Sequence, residues 1–257
     1  MDIETARKSA DSGNVALAMW WRLSLLGLIG TASMLLAPLE RLVPTEMPAM
    51  TLRLLAIIQP SILVLALAAL GLWAGQRLGL DAPVVRAWAE RRSILRVLRP
   101  QLLPAAIAGA AAAAVLILFW LGVTAMPGVA EKLGNLQLPL ATKLLYGGIV
   151  EELMLRWGLM SFFAWAIWRL AGRPAGPPAW CLWTAILFAA ILFAAGHLPV
   201  LYLLLPNPPP QLLLMVLAGN SVPGMLFGWL FWKRGLEAAM IAHALAHLFS
   251  VAALAVL

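Results

Sequence analysis

Charge is scarce in this chain. Only 11% of its 257 residues are charged, and acids are the scarcer kind, with 11 Asp and Glu against 18 Lys and Arg. Cysteine is almost missing. Cys181 alone rules out an intrachain disulfide and leaves thiol chemistry without a second partner. Histidine occurs 3 times. There is no internal repeat, no glycine-rich phosphate loop and no nucleic-acid motif, so the formal charge of +7 does not argue for nucleic acid as a partner. What remains is oil. Hydrophobic residues make up 63% of the chain and the mean hydropathy is +0.92. No water-soluble domain needs that much apolar surface, so the bilayer is the solvent the sequence expects.

The expected fold class is all-α, a polytopic membrane helical bundle with about seven transmembrane helices plus one amphipathic interfacial helix. Runs of about 20 apolar residues span hydrocarbon. Such runs cover roughly 17–38, 54–74, 102–126, 141–168, 180–204, 211–232 and 236–256. The whole of 1–257 reads as one integral membrane domain. Residues 77–99 read as a basic amphipathic cytoplasmic segment, with six arginines and apolar residues at helical spacing. The stretch GNSVPG at 219–224 predicts a local unwinding of the sixth span. Gly224 and Gly228 predict close helix contact inside the bundle.

The basic residues also set a topology. With the N-terminus in the cytoplasm, the inside segments hold Arg7, Lys8, the six arginines of 77–99, Arg169, Arg173, Lys233 and Arg234. The outside segments hold Arg41, Arg53, Lys132 and Lys143. That bias predicts N-terminus in and C-terminus out. The alanine, leucine and arginine bias suggests a bacterium of high GC content, hence a bacterial inner membrane.

Against this background the stretch IVEELMLRWGLM at 149–160 stands out. Each charge at mid-bilayer costs about 2.5–3.5 kcal/mol on insertion scales. Glu152 and Arg156 are i and i+4, on one helical face and in the favourable order for a pair. Glu151 points about 100° away on an α-helix and has no partner of its own there. All three histidines also fall in predicted spans. His197 closes FAAGH, and His243 and His247 form HALAH, an i, i+4 pair. Three histidines, two glutamates and an arginine on three spans are expected to share one polar cavity. A free carboxylate with imidazoles can deprotonate a water directly or through a metal. His197, His243 and His247 are the tentative metal ligands, and zinc the possible cofactor. A proton-coupled transporter would use similar groups, but the halves show no repeat symmetry.

EELMLR, FAAGH and HALAH, in that order, resemble the E-E-x-x-x-R, F-x-x-x-H and H-x-x-x-(N or D) motifs of the CPBP family of intramembrane proteases. That family includes the type II CAAX prenyl endopeptidase and is also called the abortive-infection family. The resemblance covers about 140–250, a CPBP-like catalytic core. It implies an intramembrane endopeptidase, a CAAX prenyl protease 2-like metalloprotease, acting on a peptide or membrane-protein substrate. By the same resemblance Glu151 activates the water, Glu152 and Arg156 complete the first motif, His197 holds the water or a metal, and His243 steadies the oxyanion. The chain departs from the pattern at its last position, where His247 stands for the usual Asn or Asp. A non-catalytic scaffold, immunity or regulatory protein of the same family is the alternative that this departure keeps open.

Overall fold

In a computed structural model, residues 3–41, 46–134 and 138–256 are described. The side chains of Arg7 and Lys8, used in the charge count, lie outside the described set. The chain is 84% helical and, among the described residues, has no strands. Helix is the expected answer to a lipid solvent, because it satisfies every backbone group within its own segment.

Eleven α-helices are labelled here in chain order among the described residues. They are α1 (Ile3–Ala32), α2 (Ala49–Gly75), α3 (Pro83–Ala89), α4 (Ile94–Thr124), α5 (Pro127–Gly134), α6 (Leu140–Thr142), α7 (Ser161–Leu170), α8 (Ala179–Ala195), α9 (Leu198–Leu204), α10 (Pro210–Arg234) and α11 (Leu236–Leu254). Between α6 and α7 the chain stays helical through two π-helical stretches, Lys143–Glu151 and Leu153–Met160. Residues 140–170 therefore form one continuous rod. Six helical segments are long and apolar enough to cross a membrane: Gly13–Leu36, Ala49–Gly75, Ile94–Thr124, Ala179–Leu204, Pro210–Arg234 and Leu236–Leu254. The rod covers the seventh expected stretch, 141–168, and carries the buried Glu152 and Arg156.

The bundle closes by small residues and buried aromatics. Ala105, Ala108, Gly109, Ala112 and Ala113 of α4 are buried, and α4 packs along α11. Small side chains let helix backbones approach where lipid supplies no hydrophobic drive between helices. Gly224 and Gly228 of α10 face Ala190 and Ile186 of α8, as the spacing predicts. The rod packs on α1, α2, α8 and α11. The buried Trp157 fixes it to α2 by donating from Nε1 to the Ala68 carbonyl at 3.0 Å. At the other end Thr142 Oγ1 donates to the Ser33 carbonyl at 2.9 Å.

Two expectations are corrected. First, α10 runs unbroken from Pro210 to Arg234, with Pro223 inside it, so GNSVPG does not unwind. Proline removes one backbone bond. A full unwinding would strip several more groups of their partners where there is no water to replace them. Second, residues 77–99 are not one helix. Gly79 at φ 71 and Arg91 at φ 56 interrupt the periodicity, leaving the short α3, and α4 already begins at Ile94. The apolar side of this segment turns to the bundle, since Leu78, Leu80, Val85 and Ala87 are buried. The fifth span holds as Ala179–Leu204, with a joint inside it. α8 stops at Ala195 and α9 restarts at Leu198, with Gly196 and His197 at the joint.

α3 is seated on the start of α11. Pro83 stands at its first turn. Asp81 accepts from Arg86 Nε at 2.9 Å and from its neighbour's amide, Ala82 N, at 2.8 Å. The Asp81 carbonyl takes the Leu236 amide at 3.0 Å. Glu237 Oε1 takes the Val85 amide at 2.8 Å.

Candidate active site

The buried charges of the rod meet α11. Glu152 is fully buried and Arg156 nearly so. Arg156 Nη1 lies 3.0 Å from Glu152 Oε1, the i, i+4 pair read from the sequence. The same guanidinium donates from Nη2 to the Gly224 carbonyl on α10 at 3.1 Å. It also lies over two rings, with Cζ 4.9 Å from the centre of Phe193 and 5.6 Å from that of Phe227. A desolvated cation over aromatic faces gains about 2 kcal/mol. Arg156 is thus held by a carboxylate, a carbonyl and two ring faces. Gly224 matters here because a Cβ on it would come within 3.3 Å of Nη2.

His243 is the pivot. Its Nδ1 donates to Glu152 Oε1 at 2.7 Å. Its Nε2 lies 3.8 Å from Glu151 Oε2. Adjacent glutamates thus address opposite nitrogens of one imidazole. On an α-helix they would diverge. The π winding brings them together, because an i→i+5 turn places Glu151 and Glu152 on either side of the position above Gly147. Gly147 is what lets α11 come close. A Cβ there would lie 3.0 Å from His247 Nε2 and 3.4 Å from His243 Nε2.

Aromatic stacking sets the ring planes. His243 stacks on Phe227 at 4.9 Å and on His247 at 5.0 Å. Phe193 meets the His243 ring edge-on at 6.0 Å and the His197 ring edge-on at 4.9 Å. His197 therefore joins the cluster across Phe193. Its Nδ1 is 2.9 Å from the Phe193 carbonyl, one turn back on α8. The structure brings Glu151, Glu152, Arg156, His243 and His247 into one contiguous cluster and leaves His197 one ring away. Phe193, Phe227, Gly147 and the Gly224 carbonyl complete it.

Electrostatically, the cluster is asymmetric. Glu152 has no exposure and shares Oε1 between a guanidinium and an imidazole, while its Oε2 has no partner. The Glu151 side chain keeps 20% exposure and meets only one edge of His243. One carboxylate is locked and the other is open. A 3.8 Å gap is too long for a hydrogen bond, yet both atoms can reach one shared oxygen at about 2.8 Å.

The arrangement does not fit a zinc site. Among the described residues, no group of three or more His, Cys, Asp or Glu side chains could hold a metal ion. His243 spends Nδ1 on Glu152, which leaves Nε2 as its free nitrogen. The Nε2 atoms of His243 and His247 both approach Gly147, while His197 stands across the Phe193 ring. Cys181 is buried and apart from the cluster.

Residues 113–249 match the family described as Type II CAAX prenyl endopeptidase Rce1-like. No curated protein and no solved structure matches the chain. The matched stretch exceeds half of the chain and contains every residue of the cluster. With its six membrane-length apolar helices, the chain is an integral membrane protein that belongs to the type II CAAX prenyl endopeptidase Rce1-like family, a family of intramembrane CAAX-type proteases.

Proposed function

We propose that the chain is an intramembrane endopeptidase that hydrolyses a peptide bond with a water activated by Glu151. The carrying observation is the asymmetry of the two glutamates around His243. Glu152, paired with Arg156, orients His243 through Nδ1. Nε2 is then an acceptor facing Glu151. A water between them donates one hydrogen to Glu151 and one to His243, which aims its lone pairs at an incoming carbonyl.

The chemistry balances without any further group. Glu151 takes a proton as the water oxygen bonds to the carbonyl carbon. His247, stacked on His243, supplies a ring N–H to the resulting oxyanion. Glu151 returns the proton to the amide nitrogen as the C–N bond breaks. His197, beyond Phe193, lines the approach to this centre. No step in this scheme runs through a metal.

The membrane is proposed to be a bacterial inner membrane, with the N-terminus cytoplasmic. The substrate class is a peptide or membrane-protein segment. The test is cleavage of a quenched fluorescent peptide library by the purified chain in lipid nanodiscs. Glu151→Gln should abolish turnover while the unfolding midpoint stays put. Turnover retained in that variant would overturn the assignment. His247 favours a second reading, a non-catalytic family member. That reading predicts no cleavage by the wild-type chain and no cellular effect of Glu151→Gln.

A further inference from the structure

A second polar site lies at the far end of the rod from the charge cluster, where α2 and α7 finish together. A cavity of about 420 Å³ there is lined by Trp73, Arg77, Trp165, Trp168, Arg169 and Arg173. Arginines and indoles alone form its wall, and no acid contributes. Among the described residues, none of these three arginines pairs with a carboxylate, since the ion pairs lie elsewhere.

Two of the three arginines lie over indoles. The Arg77 guanidinium lies 4.6 Å from the centre of Trp73 and donates to the Trp73 carbonyl. Arg169 lies 6.0 Å from the centre of Trp165. Trp73 and Trp165 meet at 4.4 Å, joining α2 to α7. Arg173 sits in a left-handed turn at φ 55. Trp168 closes that turn twice: its carbonyl takes the Arg173 amide at 3.2 Å, and its Nε1 donates to the Pro174 carbonyl at 3.1 Å. Two helix C-termini offset roughly half a charge each, so about two positive charges remain uncompensated.

A shallow, open and mostly apolar depression of about 580 Å³ adjoins it and shares Trp73 and Arg77. It runs between α1 and α2 over Ala16, Leu17, Ala69 and Leu72. The small Ala16 and Ala69 leave the gap. The basic cavity offers guanidinium donors, and the depression beside it offers apolar side chains. Arginine forks suit phosphate oxygens, and arginine with tryptophan suits the headgroup level of a membrane.

We propose that this cavity and the depression beside it bind one anionic phospholipid, its phosphate among Arg77, Arg169 and Arg173 and an acyl chain in the α1–α2 depression. The phosphate chemistry is shared with free inorganic phosphate, but the depression selects the lipid. The site stands on its own geometry and does not depend on the proposed protease activity.

The full chain purified in detergent would be titrated with phosphatidylglycerol, phosphatidylcholine or inorganic phosphate. Bound lipid would be counted by native mass spectrometry, and phosphate binding would be followed by tryptophan fluorescence. Phosphatidylglycerol should bind more tightly than phosphatidylcholine. R169Q/R173Q should weaken it by roughly thirtyfold, taking the usual worth of two basic residues at an anionic lipid. R169K/R173K should recover most of that, which separates a lost charge from a lost fold. A69F should weaken lipid binding with no change in charge. K233Q/R234Q, an equal loss of charge outside the cavity, should leave it unchanged. Equal weakening by K233Q/R234Q would reduce the effect to diffuse charge and overturn the proposal. Displacement of the lipid by inorganic phosphate, with A69F silent, would assign the cavity to a free anion and overturn it too.

Discussion

Among the described residues, two carboxylates are buried in this bundle with one oxygen unpaired: Glu152 in the rod and Glu237 at the start of α11. Their surroundings differ. Glu152 faces a guanidinium and an imidazole, and the imidazole passes the contact on toward Glu151. Glu237 faces backbone amides, with Val85 N donating to its Oε1 at 2.8 Å, and no described side chain hydrogen-bonds it. The first is a link in a chain of ionisable groups, which can move a proton. The second is a latch between α3 and α11, which can hold a loop. A buried acid is therefore not a sign of chemistry by itself. What decides is whether its partner can titrate and whether that partner opens onto another group.

The sharpest break of this comparison is at Glu151. Under the proposed role, Glu151→Gln removes the base and should lower turnover by at least about a hundredfold, the lower end for general-base removal. The unfolding midpoint should hardly move, because Glu151 is partly exposed and not ion-paired to Arg156. Kinetics on the peptide library and a melt of the same sample check both halves.

Next in size is Arg156→Ala. It leaves Glu152 as a buried charge without its guanidinium, a loss of about 3–5 kcal/mol for a broken buried pair. Replacing both partners with apolar residues of similar size, as in E152M/R156M, should restore much of the stability and none of the activity. Unfolding midpoints of the two variants in one detergent decide it. If Arg156→Ala were as stable as the wild type, the pair would not be holding the rod.

Glu237→Ala should cost less, about 1–3 kcal/mol, the price of a buried amide left without an acceptor. The damage should be local. Hydrogen exchange should speed up over residues 77–92, while peptide turnover stays near the wild-type value. Glu237→Gln keeps a carbonyl acceptor for the Val85 amide and should recover protection. If Glu237→Ala instead abolished turnover with protection intact, the latch would belong to the catalytic chain and the contrast would fail.

Hydropathy found the spans because a lipid solvent leaves a helix few alternatives. The Glu152–Arg156 pair was legible from i, i+4 spacing, and HALAH gave the stacked His243 and His247. That Glu151 and His243 would share one cavity was legible; that Glu151 and Glu152 would address opposite nitrogens of the same imidazole was not. Two residues adjacent in an α-helix diverge, and nothing local announces a π turn that brings them to one imidazole. Phe193 was within reach, since FAAGH places it one turn before His197. Phe227 and the Gly224 carbonyl belong to α10, and only tertiary packing brings them to Arg156. Residues 77–99 misled for a related reason. Their apolar periodicity fits a membrane surface and a protein surface equally, and the Asp81–Arg86 and Glu237–Val85 contacts that choose between them join positions far apart in the chain.

The smallest effect sits where Glu40, outside the spans, meets Arg53 at the start of α2 and both meet water. Glu40 accepts from Arg53 Nη2 at 2.7 Å and from Arg53 Nε at 3.3 Å. That hydrogen bonding holds the Glu40 carboxyl below its ordinary value. A depressed folded-state pKa stabilises at pH above the unfolded carboxylate value, and the contribution disappears as pH falls through the folded value. Wild type should therefore melt slightly above Glu40→Gln at pH 7, and the two should converge as the pH is lowered into the acid range. The pair is solvent-exposed, so added salt should shrink the gap at pH 7 as well. The Arg156→Ala deficit, set in a site that salt does not enter, should stay constant under the same salt titration. A deficit at Arg156 that shrank in step with the one at Glu40 would mean that water reaches the rod, and the division between a sealed Glu152 and an open Glu151 would go with it.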